Sequence, residues 1–280
     1  MDRIVRTDWI LNEEDDMDRR EFLAVSAVGA VELSVDGLPL ADVSPAVSGR
    51  AATRKILIAG GGFRTAFIRY MAQLTGKPRP RLLYLPTASA DSASGMIRWY
   101  ENCAALDVTP LVQESFISSY TQERTWEEVL LSVDGIVVSG GNTLNQQAIW
   151  RAQGIDEVLR EAWDRGIVLG GASAGSLCWF EEGTTDSRPQ EVTKIECLGF
   201  LRGSHSPHYD GEAVRRPTYH RLISSGELKP GYACDNDAGI YFEDNDVKRV
   251  VATRADAKVY RVGMVGGEVV EEVMEPEFIA

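Results

Sequence analysis

The sequence predicts an α/β fold in which helices cover both faces of a mostly parallel sheet, a three-layer sandwich. From Arg54 onward, short apolar runs alternate with segments of helical periodicity, which is the pattern of successive strand and helix units. The runs are apolar along their whole length, as expected of strands that are buried on both faces. Glycine-rich turns follow several of the runs and favour tight connections from strand to helix.

The predicted elements follow one another with short connections. Strands are expected at 55–59, 81–86, 108–112, 135–139 and 167–169. Helices are expected at 63–74, 95–105, 126–131 and 155–163, from 143 onward, and after Ser173 through residue 180. Four shorter strand patterns lie at 240–242, 247–252, 258–262 and 268–273. They predict an antiparallel edge of the same sheet, so residues 54–280 are expected to form a single domain.

Residues 1–53 differ in composition from the rest and predict a separate N-terminal arm. Arg19 and Arg20 precede a small apolar run, which resembles a twin-arginine export signal. Glu32 and Asp36 interrupt this run, so any export signal is degenerate, and a disordered or loosely docked arm is the simpler interpretation. A cytoplasmic location is expected, with export as the alternative. No stretch of the sequence approaches the ~18 apolar residues of a membrane span.

Composition and charge limit the partners. The chain has 280 residues, 44% of them hydrophobic, and a formal net charge of -13, which is unfavourable for binding nucleic-acid phosphates. Small molecules or peptides are the expected partners, rather than nucleic acid or membrane, and the chain is a monomer or a homodimer. The four cysteines show no C-x-x-C spacing, and only three histidines occur. No metal site is therefore expected, and Cys178 is expected to pack in the core.

Ser173 stands at the centre of the strongest motif in the chain. An apolar run at 167–169 leads into Gly-Ala-Ser-Ala-Gly at 171–175 and then into a helix-forming segment. This G-x-S-x-G pattern is typical of a nucleophile elbow, in which a strained turn between strand and helix exposes the serine hydroxyl. Small neighbours are needed there because bulky side chains would collide with the strand and the helix. Taken alone, the motif also fits a plain packing turn.

Backbone donors for an oxyanion hole are expected next to Ser173. The carboxyl ends of parallel strands meet at one edge of the sheet, so the turn after the strand at 135–139 should lie close to the serine. The amides of Gly141 and Ala174 are the natural pair of donors. Asn142 adjoins them as a substrate-binding candidate. A capped helix start explains Gly141 and Asn142 equally well.

A serine nucleophile needs a base, and three histidines are available. His208 is the preferred base, because Pro207 stiffens its approach and turn residues follow it. His205 lies in the same segment and is the alternative. His220 falls in a helix-like segment, where a surface or interhelical role is expected.

The group that orients the base is expected to be a carboxylate. Asp186 is preferred, because it follows the helix behind the nucleophile by one loop and has hydroxyl side chains around it. A helix-capping role is its alternative. Asp210 and Glu182 are the reserves.

Four motifs occur in an order that resembles the peptidase E (aspartyl dipeptidase) family, which includes cyanophycinase-like members. They are Gly-Gly-Asn-Thr at 140–143, Gly-Ala-Ser-Ala-Gly at 171–175, Thr-Thr-Asp at 184–186 and Pro-His at 207–208. The resemblance implies a fold like that of class I glutamine amidotransferases, with serine in place of their cysteine. It implies a Ser173, His208 and Asp186 triad with Gly141 and Ala174 as oxyanion donors. It also implies hydrolysis of dipeptides with an N-terminal aspartate, without metal or cofactor.

An aspartyl substrate needs a cation in the site. Arg215, Arg216 and Arg188 are the candidates, because they lie near His208 and Asp186 in the sequence and arginine binds carboxylates in a bidentate manner. Solvated surface positions explain these three arginines equally well.

Other functions stay open beside an aspartyl dipeptidase. One is a cyanophycinase-like hydrolase of β-aspartyl linkages. Another is an esterase of the α/β-hydrolase type, which shares the chain order Ser, Asp, His but often carries an H-G-G-G loop that this sequence lacks. The last is an inactive binding member of the same fold.

Overall fold

A computed structural model describes residues 52–116 and 121–280 of the chain. Nearly all of the predicted arm at 1–53 lies outside the described residues. Within the described ranges, no helix is long and apolar enough to cross a membrane.

Strands make up much of the described part of the chain, and the five expected before Ser173 lie at their expected places. In chain order the strands are β1 (Lys55–Ala59), β2 (Arg81–Leu85), β3 (Thr109–Val112), β4 (Gly135–Val138), β5 (Val168–Ala172), β6 (Phe180–Arg188), β7 (Glu191–Glu196), β8 (Leu201–Ser206), β9 (Gly231–Cys234), β10 (Ala238–Glu243), β11 (Asp246–Ala252), β12 (Val259–Val265), β13 (Glu268–Met274) and β14 (Glu277–Phe278).

The helices alternate with the first five strands, as predicted. They are α1 (Thr65–Leu74), α2 (Ala93–Cys103), α3 (Trp126–Leu130), α4 (Thr143–Gln153), α5 (Ile155–Asp164), α6 (Ala174–Leu177) and α7 (Arg215–Ser224). Their starts have local causes: Ser92 caps α2, Asn142 caps α4, and Thr125 forms a capping box with Glu128 at α3.

The first sheet has eight strands in the order β14-β11-β10-β1-β5-β4-β2-β3. Strands β1 to β5 are parallel, whereas β10 runs antiparallel to β1 and β11 antiparallel to β10. Apolar clusters lie on both faces of this sheet. The predicted α/β class, with a mostly parallel sheet and an antiparallel C-terminal edge, is confirmed. Since β5 lies between β1 and β4, its carboxyl end is flanked by the ends of both neighbours.

The chain after Ser173 differs from the prediction, because residues 180–234 help to form a second sheet. Its six strands follow the order β13-β12-β9-β8-β6-β7. The helix expected through residue 180 has only four residues, since α6 ends at Leu177. The strand patterns at 258–262 and 268–273 belong to this second sheet as β12 and β13, rather than to the edge of the first.

Buried aromatic side chains explain why the helix stops so early. Trp179 and Phe180 are fully buried. Phe180 packs edge-on against Phe242 of the first sheet, with ring centroids 5.9 Å apart, and Trp179 lies 5.4 Å from Phe200. Packing of this size outweighs the few tenths of a kcal/mol by which helix propensities differ. The second sheet is therefore fixed against the first close to the end of β5.

Candidate active site

Ser173 occupies a strained turn between β5 and α6. Its φ of 58° and ψ of -119° are unfavourable for a residue with a side chain, and such strain is typical of functional sites. The Ser173 amide donates to the carbonyl of Ala59 at 3.3 Å, which ties the turn to the end of β1. At Gly175 a Cβ would lie 2.2 Å from the Val138 carbonyl oxygen, so only glycine fits there. This geometry is that of a nucleophile elbow.

Two backbone amides near the serine have the properties of oxyanion donors. Ala174 opens α6, so its N–H has no acceptor within the helix. Gly141 has a φ of 137°, and a Cβ there would lie 2.1 Å from the carbonyl oxygen of Ala88. Its amide has no acceptor among the described residues. Gly140, just before it, packs directly against the side chain of Ser173.

Asn142 has a structural role at the start of α4. Its side-chain oxygen accepts from the amide of Asn145 at 2.9 Å, and its side-chain amide donates to the carbonyl of Ser187 at 3.2 Å. These bonds match the helix-start alternative that the sequence left open. Asn142 is outside the group of residues that line the cavity at Ser173.

A cavity of about 360 Å³ opens at the carboxyl edge of the first sheet, in front of Ser173. Its lining comes from the turn after β1, the end of β4, the end of β5, the His208 loop and one face of α2. Small-molecule sites usually occupy 300–1,000 Å³. The volume suits a ligand of a few residues at most.

His208 lies across this cavity from the elbow, two residues after β8. The ring is half-buried, and the backbone has a φ of 53°. Its Nδ1–H donates to the side-chain oxygen of Asn236 at 2.7 Å, which leaves Nε2 without a proton and available as a base. Asn236 is itself held in place at its backbone. It forms a parallel β-bridge with Gly61, and its backbone amide donates to the Asp210 carboxylate at 2.8 Å.

The hydroxyl of Ser173 has no hydrogen-bond partner within the described ranges, so serine and histidine share the cavity without a direct bond. Catalytic hydrogen bonds are often long before substrate binds and tighten in the complex. The arrangement therefore brings the candidate nucleophile and the candidate base together at one cavity.

Asp186 is not brought to His208. It lies near the end of β6 with its side chain 61% exposed, and its partner is the guanidinium of Arg215 at 3.7 Å. The position that the sequence analysis gave to this carboxylate, beside Nδ1 of His208, is occupied by Asn236. The cause is the second sheet: Asp186 belongs to a β-hairpin of that sheet, and not to a loop behind α6.

The two reserve carboxylates also have other partners. Asp210 accepts the Asn236 amide and pairs with Arg254, so it supports the base only indirectly. Glu182 is buried and accepts the amide of Lys229 at 2.6 Å, with the ammonium of Lys194 at 2.7 Å.

His205, the alternative base, is fully buried behind the elbow. Its Nδ1–H donates to the Tyr232 carbonyl at 3.1 Å, and its Nε2 lies 3.0 Å from the hydroxyl of Ser176. Burial lowers the pKa of His205 to about 3, so the ring is neutral at ordinary pH. The Ser176 hydroxyl also lies 2.8 Å from the carbonyl oxygen of Ser173, so Ser176 links His205 to the elbow from within the core.

His220 lies on α7, where its Nε2 is 2.7 Å from the carboxylate of Glu271 on β13. This contact joins a helix to a strand, whereas a surface or interhelical role was expected. Cys178 is buried, as expected, and burial raises the pKa of its thiol well above the usual range. Neither side chain lines the cavity at Ser173.

The three arginines proposed for substrate binding are engaged elsewhere. Arg215 is 1% exposed and bonds to Glu212 and to the carbonyl of Thr184. Arg216 lies over the rings of Tyr209 and Tyr260, with its guanidinium carbon 4.7 and 4.8 Å from their centroids.

Arg188 is held within the β6–β7 hairpin. Its guanidinium donates to the hydroxyl of Thr193 at 2.8 Å and to the carbonyl of Lys194 at 3.1 Å. Like Arg215 and Arg216, it is not among the residues that line the Ser173 cavity.

Sequence reasoning missed two polar residues at the site, Asn236 and Arg98. Asn236 follows β9, and its bridge to Gly61 brings it to the carboxyl edge of the sheet. The strand patterns predicted after it were a signal that the chain returns to this sheet there. Arg98 lies on α2 one helical turn from Gly95 and Asn102, and the spacing of these polar or small residues was a signal for a face turned toward a ligand.

A serine on a strained strand-to-helix turn of a parallel sheet, with a histidine across the same cavity, is the arrangement of α/β serine hydrolases. Comparison of the sequence with known families gives the particular one. Peptidase family S51 matches residues 56–250, so the chain belongs to that family and is a peptidase of the peptidase E type.

Individual relatives agree with this assignment. The chain is 41% identical over 222 residues to the uncharacterized peptidase YgaJ of Bacillus subtilis (strain 168), covering 77% of this chain and 94% of that protein. Two solved structures share the fold. A peptidase from an acI-B1 actinobacterium has a TM-score of 0.62 at 15% identity, over 81% of this chain and 96% of that one. A putative peptidase E protein from Listeria monocytogenes EGD-e has a TM-score of 0.52 at 16% identity, over 80% of this chain and 100% of that one.

Proposed function

We propose that this protein is a serine peptidase that hydrolyses short peptides, in the first place dipeptides with an N-terminal aspartate, through an acyl-enzyme on Ser173. The observation that carries the proposal is the shared cavity. Ser173, on its strained turn, and His208, with Nδ1 fixed by Asn236, both line one space of about 360 Å³. The restriction to short peptides is supported by that volume.

The reaction follows from the geometry in two stages. Nε2 of His208 takes the proton of the Ser173 hydroxyl as the oxygen attacks the scissile carbonyl. The amides of Gly141 and Ala174 donate to the oxyanion that forms. His208 then gives the proton to the leaving amine, and the peptide bond breaks.

A water molecule completes the cycle. His208 takes a proton from the water as it attacks the acyl carbonyl, and returns that proton to Ser173 as the acid product leaves. Asn236 holds the ring in one orientation throughout, because the side chain accepts from Nδ1 while Nε2 gains and loses the proton.

The proposal departs from the triad implied by the sequence at one position. In place of a carboxylate, an amide oxygen faces the histidine, as in the Cys-His-Asn arrangement of papain-like proteases. Asn236 is therefore the orienting residue of the proposed mechanism, and Asp186 has no direct part in it.

Hydrolysis of four dipeptides tests the proposal: Asp-Leu, β-Asp-Leu, Glu-Leu and Ala-Leu, each in the presence of a metal chelator. Wild type is compared with Ser173→Ala and with Ser225→Ala, an exposed serine at the end of α7 that serves as the matched control. We expect cleavage of Asp-Leu by wild type and by Ser225→Ala, and none by Ser173→Ala.

The other outcomes separate the alternatives. Preferential cleavage of β-Asp-Leu would favour the hypothesis of a cyanophycinase-like hydrolase. Turnover of p-nitrophenyl acetate without peptide cleavage would favour an esterase. No turnover, together with no labelling of Ser173 by a fluorophosphonate, would favour an inactive binding member and would refute the proposal.

A further inference from the structure

One face of α2 lies against the cavity that Ser173 and His208 share. The α2 face consists of Gly95, Arg98, Trp99 and Asn102, all of which line this cavity. Their spacing of three, four and seven residues places them on one side of a helix. The mechanism proposed above uses none of these side chains, so the α2 face is free for binding the part of the substrate that does not react.

Arg98 gives this face a positive charge. No aspartate, glutamate or lysine is found among the described residues that line the cavity, and Arg98 is the single arginine there. Its guanidinium takes part in no ion pair or hydrogen bond within the described ranges. Arg188, Arg215 and Arg216, by contrast, each bind groups of the protein itself.

Two aromatic rings form the wall of the cavity beside Arg98. Tyr84 and Trp99 are stacked with centroids 5.3 Å apart and an interplanar angle of 12°, and Trp99 is only 3% exposed. Burial raises the pKa of Tyr84, and the positive charge of Arg98 acts in the opposite direction. Arg98 itself is exposed and lines the cavity together with both rings.

Asn102 adds a hydrogen-bond donor one turn further along α2. The hydroxyl of Thr65 lies 3.1 Å from the backbone carbonyl of Asn102 and 3.4 Å from its side-chain oxygen. These contacts leave the NH₂ group without an acceptor in the described part of the chain. A guanidinium and a nearby amide form a donor set that suits a carboxylate.

The acidic side chains behind the opposite wall are paired with Arg254 and do not line the cavity. Asp237 adjoins Gly62 and lies 3.7 Å from Arg254, and Asp210 pairs with the same arginine. The positive charge of Arg98 is therefore not balanced by a carboxylate of the cavity wall.

We propose that Arg98, with the side-chain amide of Asn102, forms a subsite that binds a carboxylate of the substrate. The inference rests on the proposed peptidase function and specifies that a carboxylate of the substrate binds at the α2 face. In a dipeptide such as Asp-Leu the carboxylate belongs either to the side chain of the first residue or to the C-terminus of the second.

Binding measurements test the subsite separately from catalysis. Isothermal titration calorimetry is performed on Ser173→Ala and on Ser173→Ala combined with Arg98→Gln, Arg98→Lys or Arg79→Gln. Arg79 is the control arginine, since it is exposed and lies before β2, at the opposite edge of the sheet. We expect Arg98→Gln to weaken Asp-Leu binding roughly 10- to 100-fold, as for loss of a charge-assisted hydrogen bond. Arg98→Lys should weaken it less, because the charge is kept and the bidentate geometry is lost.

Two analogues identify which carboxylate is bound. If the aspartyl side chain occupies the subsite, Asn-Leu binds weakly and with equal affinity to the Arg98 and Arg79 variants. The affinity for Asp-Leu-amide then still falls when Arg98 is replaced. If the C-terminus occupies the subsite, Asp-Leu-amide binds weakly and with equal affinity to the Arg98 and Arg79 variants, whereas the affinity for Asn-Leu depends on Arg98. Equal affinities of Arg98→Gln and Arg79→Gln for all three ligands, with both variants folded by circular dichroism, would overturn the subsite.

Turnover keeps the two proposals apart. If wild type cleaves Asp-Leu but Arg98→Gln cleaves Asp-Leu, Asn-Leu and Asp-Leu-amide with the same kinetic constants as Arg79→Gln, the peptidase function stands and the subsite fails. If wild type cleaves no dipeptide but binds Asp-Leu in an Arg98-dependent manner, the subsite stands and the catalytic proposal fails.

Discussion

Replacing Asn236 by alanine removes the hydrogen bond that holds the His208 ring. The bond measures 2.7 Å, and during catalysis its donor belongs to a protonated, positively charged ring. Hydrogen bonds to charged groups contribute about 1.5–3 kcal/mol, which corresponds to a fall in kcat of roughly 10- to 150-fold. KM should change little, because Asn236 does not line the cavity at Ser173.

Steady-state kinetics on the preferred dipeptide, together with the urea midpoint of unfolding, measure this effect. Asn236→Asp keeps an oxygen acceptor facing Nδ1, so we expect it to recover part of the activity that Asn236→Ala loses. The bridge between Gly61 and Asn236 involves the backbone, and both variants should keep it. A folded Asn236→Ala variant with a kcat within about threefold of wild type would refute the reasoning.

Asp186→Asn is the matched comparison for the same experiment. Its carboxylate is 61% exposed and is paired only with Arg215, and exposed pairs contribute about 1 kcal/mol or less. We therefore expect less than about a fivefold change in kcat. A large loss for Asp186→Asn with a small loss for Asn236→Ala would restore the triad that the sequence motifs imply.

Two further predictions concern buried groups near the elbow. The pKa of His205 is about 3 in the fold against 6.5 in the unfolded chain, so the unfolded state binds more protons between these values. The free energy of unfolding should then decrease by about 1.4 kcal/mol per pH unit as the pH falls below 6.5, with a levelling near 3. Urea unfolding of wild type and His205→Asn from pH 7 to 4 measures this, and a pH-independent difference between them would contradict it. Iodoacetamide treatment should leave activity intact, because the thiolate is the reactive form of cysteine and burial disfavours it. Burial raises the pKa of Cys103 and of Cys197 to about 12, and that of Cys178 well above its usual range. Inactivation with alkylation of a native thiol would argue against a serine nucleophile.

The parallel part of the fold was predictable because each element is determined locally. The five apolar runs are strands, and the caps at Ser92, Thr125 and Asn142 set helix starts close to those expected. The second sheet was not predictable in the same way. Phe180 begins a strand because its ring packs on Phe242, a contact between residues far apart in sequence that no local pattern carries.

The same distinction between local and long-range contacts applies to the residues of the candidate site. Ser173 and its glycine neighbours form a single strand-to-helix turn, so a motif of five residues was enough to predict the elbow. His208 lines the cavity from its loop, but the partner of its ring depends on the second sheet, which the sequence did not predict. Asp186 and Asn236 lie 22 and 28 residues from His208 in the sequence, so distance along the chain does not distinguish them.

The placement of Asn236 explains how the two sheets cooperate at the site. Ser173, the proposed nucleophile, follows β5 of the first sheet, while His208, the proposed base, follows β8 of the second. Asn236 lies between β9 of the second sheet and β10 of the first, and it contacts His208 through its side chain and Gly61 through its backbone. The segment between β9 and β10 thus sets the position of the base relative to the turn after β1. Asn236 at this crossing thus links the proposed base directly to the sheet that carries Ser173, whereas the Asp186 carboxylate on β6 is paired with Arg215 of α7.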